Sequence, residues 1–121
     1  MEPKMKIEHV LAVVPVADVD AAREWYTRLF GRGPDNNPME SLVEWRLADT
    51  GWLQVTVDPD RAGKGLMNLA VADLAAQASE VAGRGIATGE IQPVNKAVAV
   101  CPITDPDGNV ITLIGNFRVT Y

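Results

Sequence analysis

Residues 11–31 read LAVVPVADVDAAREWYTRLFG, and the reading of this stretch decides the fold. It begins inside Ile7 to Val14, IEHVLAVV, a run rich in β-branched residues and apolar on both faces, the pattern of a central strand. Pro15 has no N–H to give a sheet, so pairing is expected to stop there. Asp18 stands where a helix N-cap belongs, and Asp20 falls in the first turn, where the helix dipole favours negative charge. From Val19 to Phe30 the residues Val19, Ala22, Trp25, Tyr26, Leu29 and Phe30 recur at helical spacing. Gly31 follows as the left-handed residue that closes a helix.

Outward from this strand–helix pair, residues 31–40 (GRGPDNNPME) form a turn-rich loop with room for a short edge strand. Ser41 to Ala48 alternates as a strand, Asp49-Thr50-Gly51 turns the chain, and Trp52 to Val57 returns as a hairpin. Asp58 to Gly65, DPDRAGKG, has linker composition. The order then restarts. Leu66 to Val71 reads as a strand, Asp73 as an N-cap, and Leu74 to Ala82 as a short helix closed by Gly83. Strands follow at Ala87 to Pro93 and Lys96 to Ile103, then a type I turn at Asp105-Pro106-Asp107-Gly108 and a last strand from Asn109 to Gly115. Val16-Ala17-Asp18-Val19 recurs as Val71-Ala72-Asp73-Leu74, and Gly31-Arg32-Gly33 after the first helix recurs as Gly83-Arg84-Gly85 after the second. The expected architecture is an α+β domain built as a pseudo-repeat of two strand–helix–strands modules. It is one domain over residues 1–121, with a first module at 5–58, a linker at 58–65 and a second module at 65–118.

Composition removes several function classes. The 121 residues carry 11 Lys+Arg against 16 Asp+Glu, a net charge of −5, with no basic cluster of the kind a nucleic-acid duplex requires. One Cys excludes an internal disulfide, and one His excludes a zinc site with two histidines. A Ser-His-Asp triad would have to run through His9. The longest apolar stretch, Val10 to Ala17, is eight residues long and contains Pro15, too short to span a bilayer. The polar start, Met1 to Lys6, has no apolar core of a signal peptide. A cytoplasmic protein with a reduced, buried Cys101 is the expectation, with neither nucleic acid nor membrane as partner. Neither Gly31-Arg32-Gly33 nor Gly63-Lys64-Gly65 follows a strand and opens a helix, so both are turns rather than phosphate loops.

The stretch LAVVPVADVDAAREWYTRLFG resembles the opening of a vicinal oxygen chelate domain, the superfamily of glyoxalases, bleomycin resistance proteins and extradiol dioxygenases. TDPDGNVITLIGN, Thr104 to Asn116, resembles that family's closing hairpin, and GLMNLAVADL, Gly65 to Leu74, the start of its second module. The resemblance implies two βαβββ modules forming a curved mixed sheet around a cavity, in a chain that pairs as a homodimer. Enzymes of the superfamily hold a divalent metal with His, Glu or Gln side chains from the first and last strands of each module. Carried onto this chain, those positions fall on Leu11, Gln54, Leu66 and Thr112. Two of them are leucines. The donors that remain if a metal binds are His9, which shares a strand face with Leu11, and Gln54, with no carboxylate at the carried-over positions.

The positions the resemblance implies, together with the neighbouring polar and aromatic residues, give the candidate cavity lining: His9, Leu11, Trp45, Trp52, Gln54, Leu66, Asn68 and Thr112. His9 either reaches the cavity or caps the start of its strand near solvent. If Leu53, Val55 and Val57 pack under the helix, then Trp52, Gln54 and Thr56 face the opposite side, toward a pocket or toward solvent. Asn68 has the same choice in the second module, and Thr112 suits a strand by shape alone. Trp25 belongs with Leu29 in the core. Trp45 and Trp52 flank the hairpin turn, and whether they share a side depends on the turn's length. At least one of them is a candidate for stacking on a flat ligand or at a dimer interface. The expected function is metal-independent binding of a small organic molecule, without a cofactor and with no catalytic residue assigned. The alternative is a metal-dependent lyase, isomerase or dioxygenase of the same superfamily. A metal-free catalyst with His9 as general base and a regulatory module without a ligand are the remaining readings.

Overall fold

The structure, a computed structural model, describes residues 4–117. Its first half is β1 (Val10–Val16), α1 (Val19–Phe30), β2 (Asn36–Met39), β3 (Leu42–Ala48) and β4 (Gly51–Val57). The second half repeats the order as β5 (Leu66–Val71), α2 (Leu74–Gly83), β6 (Gln92–Asn95), β7 (Val98–Thr104) and β8 (Val110–Gly115). Each half is a four-stranded mixed sheet, ordered β1-β4-β3-β2 and β5-β8-β7-β6. In both, the first strand runs parallel to the last and the other pairs are antiparallel. These are the two βαβββ modules of an α+β fold.

Helix α1 begins and ends where its sequence dictates. Asp18 accepts hydrogen bonds from the backbone N–H groups of Asp20 (2.9 Å) and Ala21 (3.3 Å). Gly31 takes φ 74° and donates its N–H to the Thr27 carbonyl at 2.9 Å. The helix buries Ala22, Tyr26 and Leu29 against one face of the first sheet, Val14, Val16, Val43, Trp45, Leu53 and Val55. Helix α2 buries Leu74, Ala78 and Val81 against Met67, Cys101, Ile103, Ile111 and Leu113, and the two sets form one continuous core. Cys101 is fully buried and behaves as a small hydrophobe, as its strand predicts. Helix α2 runs one residue past its expected end, because Gly85 rather than Gly83 supplies the left-handed turn at φ 88°.

Strand β1 departs from the sequence expectation. It spans Val10–Val16 rather than 7–14, and it includes Pro15, paired with Thr56. It is an edge strand of its sheet, so the missing proline N–H interrupts no ladder on the outer side. In the second module, β6 starts at Gln92, five residues after the expected strand start.

A polar hub joins the modules. The turn at 105–109 places Asp105, 4% exposed, at the base of α1. Its Oδ1 accepts from the N–H groups of Asp107, Gly108 and Asn109, and its Oδ2 from the Tyr26 hydroxyl (2.7 Å) and the Asn109 amide (2.8 Å). Asn109 in turn donates to the Pro15 carbonyl (2.7 Å) and accepts from the Gly65 N–H (2.7 Å). One buried pair thus ties β1, α1, the linker and the last hairpin. Burial, and then the Asp105 charge, push the Tyr26 hydroxyl far above its usual pKa, so it stays a donor. Gly63 lies against the same turn with φ 86°, and any Cβ there would stand 2.2 Å from the Asp107 carbonyl oxygen. On the helix side, the Arg84 guanidinium donates to the Arg28 and Leu29 carbonyls at the C-terminus of α1, the end that favours a cation.

Candidate functional site

Side chains alternate across each strand, so the sheet faces turned away from the helices can be read directly. On the first sheet this open face carries Leu11, Val13 and Pro15 from β1, Trp52, Gln54 and Thr56 from β4, and Leu42, Glu44 and Arg46 from β3. Two neighbouring depressions lie along it. One, of about 320 Å³, is lined by His9, Leu11, Asn36, Glu44 and Trp52. The other, of about 380 Å³, is lined by Val13, Pro15, Thr56, Asp58, Arg61 and Lys64.

The first depression brings together most of the candidates from the first module. His9 meets Trp52 edge to face, with ring centroids 6.5 Å apart at 82°. Trp52 is half-buried and paired in register with Leu11, while Gln54 pairs with Val13. The Gln54 amide donates to Glu44 Oε2 at 2.6 Å, and the Asn36 amide to Glu44 Oε1 at 3.0 Å. Glu44 and Asn36 are absent from the sequence-derived lining. The signal for Glu44 was the alternation Leu42, Glu44, Arg46, which shares a face with Trp52 once the hairpin register Glu44↔Gln54 is fixed.

Trp45 does not line the open face. It is fully buried on the helix side, 6.1 Å from Tyr26 and 5.7 Å from Phe30 between ring centroids, and its indole N–H donates to the Arg32 carbonyl at 3.0 Å. The reason is register. The chain turns through Asp49 and Thr50, and an irregularity between Arg46 and Ala48 sets Trp45 opposite Leu53, on the face away from Trp52. Leu66, Asn68 and Thr112 lie on the open face of the second sheet, with Asn68 and Thr112 paired and Leu66 85% exposed. They are on a different sheet from the first-module set, and none of them lines the two depressions.

The positions the superfamily uses for a divalent metal do not fit one here. Leu11 and Leu66 present no donor atom, Thr112 is a weak neutral ligand, and the Gln54 amide is bonded to Glu44. Among the described residues, no three His, Cys, Asp or Glu side chains come together as a metal ion requires. What the depression offers is an apolar and aromatic wall beside one carboxylate. Asp35, at the rim of the same sheet, is held below the usual carboxylate range by the Arg32 guanidinium and the Arg46 N–H, so it is bound up in local structure.

No family model matches the sequence, and no curated protein matches it. Solved structures do. The chain is similar to a glyoxalase/bleomycin resistance protein from Catenulispora acidiphila DSM 44928, with 31% identity, a TM-score of 0.83, and coverage of 88% of this chain and 96% of that one. It is also similar to TnmS3, an antibiotic binding protein from Streptomyces sp. CB03234, at 27% identity and a TM-score of 0.72, covering 93% and 98% of the two chains. A bleomycin-binding protein complexed with bleomycin shares the fold at 21% identity and a TM-score of 0.76, covering 90% and 98%. Two βαβββ modules in this order, an open sheet face with an aromatic wall, and an identity of 31% over nearly the whole of a known member together establish that the chain belongs to the glyoxalase/bleomycin resistance protein family, within the vicinal oxygen chelate superfamily.

Proposed function

We propose that this protein binds a small organic molecule on the open face of its first sheet, without a metal ion, and that it does so as a homodimer in the cytoplasm. The observation that carries the reading is the depression formed by Trp52, His9 and Leu11 beside the Gln54–Glu44 pair, where the superfamily's metal positions carry Leu11 and an amide already bonded to Glu44. An aromatic wall with a few placed polar groups is the usual make-up of a small-molecule site. The antibiotic-binding and bleomycin-bound relatives support a ligand of that size class.

The homodimer rests on what the open faces leave uncovered. Leu11, Val13 and Leu66 are 47%, 55% and 85% exposed, and β1 is apolar on both faces although it is an edge strand. A strand of that composition is normally covered on both sides, and a second copy laid across the open faces would cover it and close the depressions into a cavity. Sedimentation should give a dimer for the wild type and a shift to monomer for Leu66→Asp. A wild-type monomer at all concentrations contradicts the dimer. For the cytoplasmic assignment, the lone reduced Cys101 is the support. No helix among the described residues is long and apolar enough to cross a membrane.

Trp52→Ala tests the site. Titration of the protein with bleomycin, followed by intrinsic fluorescence, is expected to show saturable binding that weakens at least about tenfold in the variant. Equal affinity in both proteins would place the ligand elsewhere.

A further inference from the structure

The helix side of the molecule holds another cavity, remote from the open sheet faces. Helices α1 and α2 leave a cleft between them with a volume of about 170 Å³. Its floor is Leu69 and Val71 of β5 and Leu113 of β8, with Leu69 and Leu113 paired in register. Its walls are Leu29 and Phe30 at the end of α1 and Val81 of α2. The gap has a cause in the topology. Strand β5 is an edge strand, so no neighbour flanks Leu69 and Val71 on their outer side, and both stay only half-buried although they are apolar. Apolar cavities of about 150 Å³ stay dry and bind benzene, so this one has room for a single aromatic ring.

Arg84 gives the cleft its polar chemistry. It is half-buried at the cleft's edge, where its Nε donates to the Arg28 carbonyl and its Nη2 to the Leu29 carbonyl at 2.7 Å. These neutral acceptors fix the plane of the guanidinium and leave Nη1 free to donate. Glu80 also lines the cleft and stands four residues before Arg84, the usual spacing of a helical ion pair. No such pair forms; the ion pairs among the described residues join Arg23 to Asp20, Arg28 to Glu24, Arg32 to Asp35 and Arg61 to Asp58. Glu80 is exposed and keeps its hydration, whereas Arg84 is half-buried and held in place, so Arg84 sets the sign of the charge the cleft accepts. A planar guanidinium with donors to spare is suited to a carboxylate. We propose that the cleft between α1 and α2 binds a small aromatic carboxylate, one ring bearing one acid group, with Arg84 receiving the acid and Leu69, Val81 and Leu113 the ring. This site is separate from the open sheet face and does not rest on the reading of that face.

Benzoate and benzamide share one shape and differ in charge. Titrations followed by the methyl NMR signals of Leu69 and Leu113 should show benzoate binding about tenfold more tightly than benzamide, with a dissociation constant of about millimolar order for so small a ligand. Glu80→Gln, at an exposed side chain, should tighten benzoate about threefold by removing a repulsion and leave benzamide unchanged. Arg84→Gln should abolish the preference, while Arg84→Lys, which keeps the charge without the fork, retains part of it. Leu69→Phe, which fills the cleft, should lose both ligands. Trp52→Ala, on the open face of the other sheet, should leave both affinities unchanged. Circular dichroism checks that each variant is folded, and if Arg84→Gln is not, the response of Glu80→Gln decides. The proposal is overturned if the wild type binds neither ligand or binds the two equally, if the preference survives in folded Arg84→Gln, or if benzoate binds Glu80→Gln no more tightly than the wild type. Binding that persists in folded Leu69→Phe, or is lost in Trp52→Ala, overturns it as well.

Discussion

Replacing Asp105 by alanine is expected to cost about 3–5 kcal/mol of folding stability, far more than a typical turn substitution. One carboxylate accepts five hydrogen bonds there, from the Tyr26 hydroxyl, the Asn109 amide and three backbone N–H groups. Alanine leaves the Tyr26 hydroxyl and the Asn109 amide short of an acceptor in a buried place, at about 1–3 kcal/mol each, and unties the turn as well. Because Asn109 also holds Pro15 and Gly65, the loss spreads to the contact between the modules. Tyr26→Phe removes only one of the five donors and should cost about 1–2 kcal/mol. Urea unfolding of the three proteins measures both values. A loss below about 1 kcal/mol for Asp105→Ala would mean that the hub is incidental to stability.

The second large effect separates the tryptophans. Trp45→Ala should destabilise by about 3–5 kcal/mol, because the ring is fully buried between Tyr26, Phe30 and the first sheet and its loss opens a cavity. Trp52→Ala, at a half-buried ring on the open face, should cost about 1 kcal/mol or less while weakening ligand binding at least about tenfold. Unfolding midpoints and ligand titrations on the same two variants give the pattern. If the two effects were reversed, the register of the β3–β4 hairpin would be wrong.

That register marks the limit of what the sequence reveals. Helix α1 is legible to the residue, because an N-cap, a helical apolar period and a left-handed glycine are local signals that tertiary packing has no reason to override. The two-module order is legible for the same reason, since each module restarts with a strand and an Asp cap. Strand β1 is legible as a strand but not as an edge, because composition reports how apolar a segment is and not which neighbours it has. Trp45 falls on the face opposite to the expected lining, and Glu44 goes unremarked in the sequence, because a single-residue shift exchanges the two faces of a strand and the irregularity between Arg46 and Ala48 leaves no local signal. Asp105 reads locally as a turn residue and Asn109 as the start of the last strand. Their buried role depends on Tyr26, 79 positions away, and on Pro15, which no local pattern connects to them.

The count of one histidine takes its meaning from this geometry. On the fold of a metal-binding superfamily, two of the four carried-over positions for the ion hold leucine, and the lone His9 stands instead beside Trp52 in the depression that Glu44 also lines. The central claim is therefore that this family member binds an organic ligand with no metal. The most direct test is elemental analysis of the chelator-treated protein together with a thermal-shift titration of that same sample, first with divalent metals and then with bleomycin. The account predicts no stoichiometric metal, no shift with metals, and a clear stabilisation by the organic ligand, about 2.7 kcal/mol at a hundredfold excess over Kd. Stoichiometric metal that survives chelation, with stabilisation by a divalent ion alone, would contradict it.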